Sequence, residues 1–222
     1  MSENIAIDGP AGAGKSTIAK RIAKQLGFIY VDTGAMYRAM AIYFLEQGLE
    51  ASQEEEIKKA CENADISIVY ENGEQQVLLN GKNVTGQLRT EEVGNMASAS
   101  STIPEVRVKL VHLQQVLASN ADVVMDGRDI GTAVLPEART KVYLTADAHV
   151  RAKRRYLELQ EKGVEGNLEA IEADINERDH RDMNRAASPL KQAEGAVLVD
   201  TSNMSIDGVV DKIISIYEER NN

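Results

Sequence analysis

Asn4-Ile5-Ala6-Ile7-Asp8-Gly9-Pro10-Ala11-Gly12-Ala13-Gly14-Lys15-Ser16-Thr17 is the stretch that decides the fold. Its apolar start reads as a short buried strand, and Gly9-Pro10 is a turn pair that ends it. Beyond the glycines, Ile18, Ile22 and Leu26 recur at helical spacing with Ala19 and Ala23 beside them, and Gly27 is a helix stop. Strand, glycine loop and helix thus follow one another directly. Gly9 to Ser16 fits G-x-x-x-x-G-K-[ST]. Glycines let main-chain N–H groups converge on phosphate oxygens without Cβ interference. The helix N-terminus adds a partial positive charge. Lys15 has the reach for β- and γ-phosphates, and the Ser16 hydroxyl suits a Mg²⁺ ligand. Gly9, Pro10, Ala11, Gly12, Ala13, Gly14, Lys15, Ser16 and Thr17 are therefore the candidate cradle for a nucleoside triphosphate.

Working outward, strand and helix signals alternate. Phe28 to Asp32 reads as a second strand, and Thr33 as the cap of a helix carrying Met36, Met40, Tyr43 and Phe44. Residues 52–63 read as a helix capped by Ser52, with Glu55 three places on. Ile66, Ile68 and Tyr70 then alternate with polar residues, and Asn72-Gly73 and Asn80-Gly81 punctuate the run. Asn-Gly between alternating runs signals a hairpin, so about 65–86 reads as antiparallel strands inside an insert at 60–90. Helical pattern resumes at about 91–101 and again from Pro104 through Leu117. Ala121 to Asp126, Lys141 to Leu144 and Ala196 to Asp200 are further buried-type strands. Helices are expected at about 148–162 and 167–185, and in a closing segment with Ile206, Val210, Ile213, Ile214 and Tyr217 on one face. Strands separated by helices make an α/β fold: five parallel strands, helices on both faces, a small antiparallel insert and a helical lid at 150–188. We expect one domain, 1–222. Ligands of such sheets bind at the carboxyl ends of the strands.

Composition narrows the partners. The chain has 222 residues, 25 Lys+Arg against 35 Asp+Glu, and a formal charge of −10. So acidic a chain is a poor match for nucleic acid or an anionic membrane surface. A single cysteine, Cys61, allows no internal disulfide and suits a reducing, cytoplasmic setting. No stretch is long and apolar enough to span a bilayer, and Met1 to Asn4 lacks a basic leader. A monomer working on small molecules is the expectation.

The arginines sharpen this. Arg38 follows Asp32-Thr33-Gly34, Arg128 sits in Asp126-Gly127-Arg128-Asp129, and Arg178, Arg181 and Arg185 lie at i, i+3 and i+7 of one helical pattern. Arg151 reads as a solvated residue paired with nearby acids. Bringing two nucleotides together crowds more negative charge than one lysine and one Mg²⁺ can neutralise, and the arginine fork binds phosphate oxygens bidentately. An acceptor that is itself a phosphate needs no general base, and His112, His149 and His180 are scattered. A guanine-reading Asn-Lys-x-Asp is absent from the sequence, which disfavours a regulatory GTPase. A small kinase leads. A non-catalytic nucleotide-binding switch is the rival from another class.

These motifs together resemble the bacterial cytidylate kinases, over nearly the whole chain. The resemblance is carried by Ile7-Asp8-Gly9-Pro10 running into the loop, Asp32-Thr33-Gly34-Ala35-Met36-Tyr37-Arg38, Leu88-Arg89-Thr90-Glu91-Glu92-Val93, Asp126-Gly127-Arg128-Asp129-Ile130-Gly131-Thr132, and Glu177 through Arg185 to Ser188-Pro189-Leu190. It implies an ATP- and Mg²⁺-dependent enzyme of the P-loop kinase fold that phosphorylates CMP or dCMP. A UMP or AMP acceptor is the close alternative. By resemblance, Thr33, Arg107 and Asp129 contact the cytosine; a carboxylate accepts well from its exocyclic amine. Arg38, Arg128 and Arg185 clamp the acceptor phosphate with Tyr37 beside them, and Ser98, Arg178 and Asp182 lie near the sugar. Lys15, Arg128, Arg178 and Arg185 carry the catalytic roles. Arg154 and Arg155 fall in the lid, within reach of ATP phosphates. Asp126 either holds Mg²⁺ through water or orders its loop. Thr33 stands where the family also uses Ser, and the hydroxyl is kept. The β insert resembles the extra piece that sets this family apart from shorter monophosphate kinases.

Overall fold

A computed structural model describes every residue except Met1, Lys162 and Asn222. Lys162, the expected end of the sixth helix, lies outside the described residues. Residues group into two compact units: Met1–Tyr30 with Ala121–Asn222, and Val31–Asn120.

The first unit is built on a five-stranded sheet. Its strands are β1 (Asn4–Asp8), β2 (Ile29–Asp32), β6 (Val123–Gly127), β7 (Thr140–Thr145) and β8 (Val197–Asp200), in the order β2-β6-β1-β7-β8. The division between units falls within β2, after Tyr30. Strand β1 pairs in parallel with β6 (Ile5 opposite Val124) and with β7 (Ile7 opposite Val142), and β7 pairs in parallel with β8. Central β1 is buried on both faces, as its unbroken apolar run requires. Helix α1 (Lys15–Leu26) buries Ile18, Ala19, Ile22 and Ala23 and ends at Gly27, whose φ of 71° closes the helix in the left-handed region. Helix α8 (Ile206–Asn221) contributes Val209, Val210 and Ile213 to the same core. Ile206, expected on that face, is 46% exposed; it is the first residue of the helix, and Val209 one turn on takes the buried position. Helices α6 (Ala148–Glu161) and α7 (Leu168–Asn184) follow β7, with Asn167 capping α7.

The second unit gathers helices α2 (Thr33–Glu46), α3 (Glu54–Cys61), α4 (Glu91–Ser100) and α5 (Pro104–Asn120) around a separate apolar core that includes Met36, Met40, Phe44, Ile57, Val93 and Leu110. The expected insert is a three-stranded antiparallel sheet, β3 (Ile66–Glu71), β4 (Glu74–Leu79) and β5 (Lys82–Asn83). Asn72-Gly73 and Asn80-Gly81 both take positive φ at both positions, the geometry of tight hairpins. The sheet shares the helices' core through Ile66, Val77 and Leu79.

Two caps differ from expectation. Asp32, not Thr33, caps α2: its side chain accepts from Ala35 N at 3.0 Å, and Thr33 is the first helical residue. A carboxylate at the helix start also answers the dipole better than a hydroxyl. Ser52 caps nothing; α3 starts later, after Gln53, whose side chain turns back to accept from Glu50 N. Helix α5 runs three residues beyond the expected Leu117, because nothing between Leu117 and Asn120 breaks a helix.

Candidate active site

The phosphate loop joins β1 to α1 and takes its shape from sterics. Gly9 has φ 153°, and a Cβ there would lie 1.9 Å from the Leu144 carbonyl oxygen, so only glycine fits against β7. Gly14 precedes α1 at φ 87° without a side-chain cap, and the first turn of α1 carries no acid. That leaves an electropositive helix end open to an anion. Lys15 is buried and donates from Nζ to the Pro10 carbonyl oxygen at 2.8 Å. Burial first, and then the charge of Arg128, lower its ammonium to about 7. The negative charge of a bound polyphosphate would offset both penalties.

Around this loop the first unit assembles charged side chains from strand ends and helix α7. Asp8, at the end of β1, accepts from Ile130 N and Gly131 N, both at 2.7 Å. It thereby pins the single π turn at Ile130–Val134 that follows Asp129. Burial raises its carboxyl to about 6 against the lowering effect of these two hydrogen bonds. Arg128 donates from Nε to Asp182 Oδ2 at 2.8 Å. Burial opposes ionisation of Asp182, but the charge and hydrogen bond of Arg128 outweigh it and hold that carboxyl below its ordinary value. Arg185 lies 3.5 Å from Asp129 Oδ1 and 4.0 Å from Asp182 Oδ1, and its Nε donates to Ser188 O at 2.6 Å. Arg178 is half-buried, and burial followed by the Arg128 charge pulls its guanidinium below the ordinary value. Lys15 and Arg178 are thus both disfavoured as cations by the same neighbour, a crowding that an anion relieves.

Ser16 Oγ donates to Asp126 Oδ2 at 3.1 Å, and Tyr30 OH donates to Asp126 Oδ1 at 2.8 Å. A hydroxyl beside a carboxylate is a hard-oxygen donor pair that fits Mg²⁺, an ion that keeps waters and takes substrate phosphates rather than a closed protein cage. Among the described residues no cluster of three or more His, Cys, Asp or Glu forms such a cage.

Arg185 directly follows α7 as its C-cap residue, at φ −64°, ψ 142°. Arg181 pairs with Glu177 at 2.8 Å. One expectation needs correction. Arg151 is not solvated but 5% exposed, tied to Ala11, Ala146 and Asp179. Within the lid segment Arg154 is bound to Thr201 and Arg155 to Glu158. His149 faces Glu172 and His180 faces Asn184, both at the surface.

The second unit holds the remaining candidates. Thr33 and Tyr37 are one turn apart on α2. Arg107, on α5 and 4% exposed, stands with its guanidinium 5.6 Å from the Tyr37 ring centre. Its Nη1 donates to Ser101 O at 3.2 Å, and Ser101 Oγ in turn donates to Ser98 O at 2.8 Å. Ser98 is therefore linked to Arg107 through one residue. Arg38 folds back toward Gly34, where a Cβ would lie 3.2 Å from its Nη1. Sequence reasoning missed Asp8 and Asp179. Their signal was present: an acid that ends an apolar strand, and an acid inside Arg178-Asp179, must find partners if buried.

Residues 5–219 match the model of the cytidylate kinase family. The chain belongs to that family. It is accordingly a nucleoside monophosphate kinase. A cytidylate kinase of Caldicellulosiruptor saccharolyticus is 50% identical over 96% of this chain and 95% of its own length. One from Ligilactobacillus salivarius is 49% identical over 98% of this chain and 97% of its own. A gluconokinase structure from Sinorhizobium meliloti, 12% identical, superposes with a TM-score of 0.51 over 99% of this chain and 94% of that one, a likeness of fold alone. The family match runs through residues of both units.

Proposed function

We propose that the chain transfers the γ-phosphoryl group of ATP to CMP or dCMP, giving ADP and CDP or dCDP. The observation that supports this most is the convergence of Lys15, Arg128, Arg178 and Arg185 with buried carboxylates beside a glycine loop, in a chain of this family. ATP phosphates take the loop N–H groups, and the Lys15 ammonium moves from the Pro10 carbonyl to the β- and γ-oxygens. An acceptor phosphate oxygen, already ionised near neutral pH, attacks the γ-phosphorus in line while the bond to the β–γ bridging oxygen breaks. No proton needs removal from the acceptor. Arg128, Arg178 and Arg185 hold the acceptor phosphate and the charge that spreads over the transferring group. Arg38 and Tyr37 add to that clamp. Ser16, and Asp126 through water, would hold Mg²⁺, which would supply charge neutralisation at the ATP phosphates.

The base is chosen by Thr33, Arg107 and Asp129, with Ser98 and Asp182 at the sugar. Asp129 accepts from the cytosine amine; uracil would put a carbonyl oxygen against the carboxylate. The α6–α7 segment acts as a lid, keeping water from the γ-phosphate. A coupled ADP-release assay across CMP, dCMP, UMP, AMP and dTMP tests the reading. CMP and dCMP are expected to turn over fastest. Fastest turnover with AMP or dTMP would overturn the base assignment, and ATP hydrolysis without transfer to any of them would make the chain a switch.

A further inference from the structure

Arg151 and Asp179 grip the middle of the phosphate loop. Arg151 Nη1 donates to Ala11 O at 2.9 Å and lies 2.7 Å from Asp179 Oδ2. Its Nε donates to Ala146 O at 2.9 Å. Asp179 Oδ1 accepts from Ala11 N at 3.3 Å. Both main-chain polar groups of Ala11 are thus held by one ion pair whose members are 5% and 7% exposed. Contact continues at Gly12, where a Cβ would sit 3.4 Å from Arg151 Cβ and 3.9 Å from Ile175 Cδ1. The pair joins three segments of the first unit: the loop, the start of α6 after β7, and α7.

We propose that Arg151 and Asp179 are a positioning pair that holds the phosphate loop in register with the α7 side chains acting on the transferring group. The proposal rests on the reading that this loop holds the ATP phosphates. A glycine-rich loop has few side chains of its own to fix its path, and Ala11 lies between Gly9 and Gly12, its most pliable part. Fixing Ala11 from both sides fixes that path before nucleotide arrives. Asp179 follows Arg178 directly and precedes Asp182 by three residues, so the tether to Ala11 also sets how far the α7 arginine stands from the loop. Donor phosphates and transfer arginine then share one reference point, the preorganisation that in-line transfer requires.

The test uses the full chain with Arg151→Ala, Arg151→Lys and Asp179→Asn. ATP affinity is read by calorimetry without acceptor, and kcat, KM for ATP and KM for CMP are read in the coupled assay. Arg151→Ala is expected to weaken ATP about tenfold and to lower kcat about 10²-fold, the scale of a small misplacement of reacting groups, with KM for CMP changed less than about threefold. Asp179→Asn should follow the same split more mildly, because one oxygen still accepts from Ala11 N. Equal shifts in both KM values, or a lowered melting temperature with ATP affinity and kcat unchanged, would overturn the proposal. Should Arg151→Ala fail to fold, Arg151→Lys and Asp179→Asn decide by the same split. A wild-type chain that binds ATP but leaves CMP unphosphorylated would sink the acceptor reading alone, since the ATP-affinity arm still judges the pair.

Discussion

The two units bury different things. The first buries Asp8, Asp126, Asp129, Asp179 and Asp182 together with Lys15, Arg151 and Arg185. In the second, no carboxylate is buried among the described residues, and its buried cation, Arg107, is answered by a main-chain carbonyl and an aromatic face. Its other buried polar side chains, Thr33, Ser100, Ser101 and Gln114, are uncharged, beside an apolar core that runs from Met36 and Phe44 to Leu110. Buried charge is costly unless partnered, so a unit that keeps this much of it retains it for chemistry rather than for stability. The second unit suits a different task. On the proposed reading, it presents one hydroxyl and one guanidinium to a flat base. Stability and catalysis should therefore separate between the units under mutation.

Two substitutions test that separation from opposite ends. Phe44 is fully buried in the second unit. Phe44→Ala should cost about 3–5 kcal/mol of folding stability, through lost transfer energy and the cavity left behind. The folded fraction should keep its kcat, measured below the melting transition. Lys15→Ala should do the reverse. Transfer to CMP should fall about 10²–10³-fold, the scale for removing one preorganised charge donor at a reacting group. The melting temperature should hold or rise slightly, because the folded protein disfavours the Lys15 charge and loses only its contact with Pro10 O. A large melting loss in Lys15→Ala, or retained transfer, would break the contrast.

How much of this was legible in the sequence follows the same line. The phosphate loop, the parallel strands and the two Asn-Gly hairpins were readable because each rests on local sterics or period, and Gly9, Asn72-Gly73 and Asn80-Gly81 take the geometry their residue types demand. Cap positions at Asp32 and Gln53 were less so, since neighbouring polar residues compete for the role within one or two positions. Arg151 was misread for a physical reason. Its helix is polar on most faces, and nothing local distinguishes an arginine facing water from one facing a loop 140 residues earlier. Asp8 was passed over as the end of a strand, although its partners, Ile130 and Gly131, lie in a motif that was singled out. Long-range pairing is what an unaligned sequence hides. The proposal that Thr33 and Arg107 meet the cytosine came through family resemblance, since no periodicity marks either residue.

Asp8 gives the smallest expected effect and the finest test of how the first unit tolerates buried charge. Its carboxyl titrates at about 6 in the folded protein, against the ordinary value of 3.8. Between those values the folded state holds the proton more tightly than the unfolded state, so stability falls as pH rises through that window. Below about 4 both states are protonated and no penalty applies; above about 6 the penalty is complete, on the order of 2–3 kcal/mol. Asp8→Asn removes the titration and keeps one acceptor oxygen, while its amide group meets the second N–H of the Ile130–Gly131 pair and forfeits that bond. The variant should therefore gain ground on the wild type by about 2–3 kcal/mol between pH 4 and pH 7, whichever is the more stable at either end. Urea melts of both proteins across that range measure the difference. A difference that stays flat would mean that the two N–H donors fully offset burial, and that the end of β1 carries its charge at no cost.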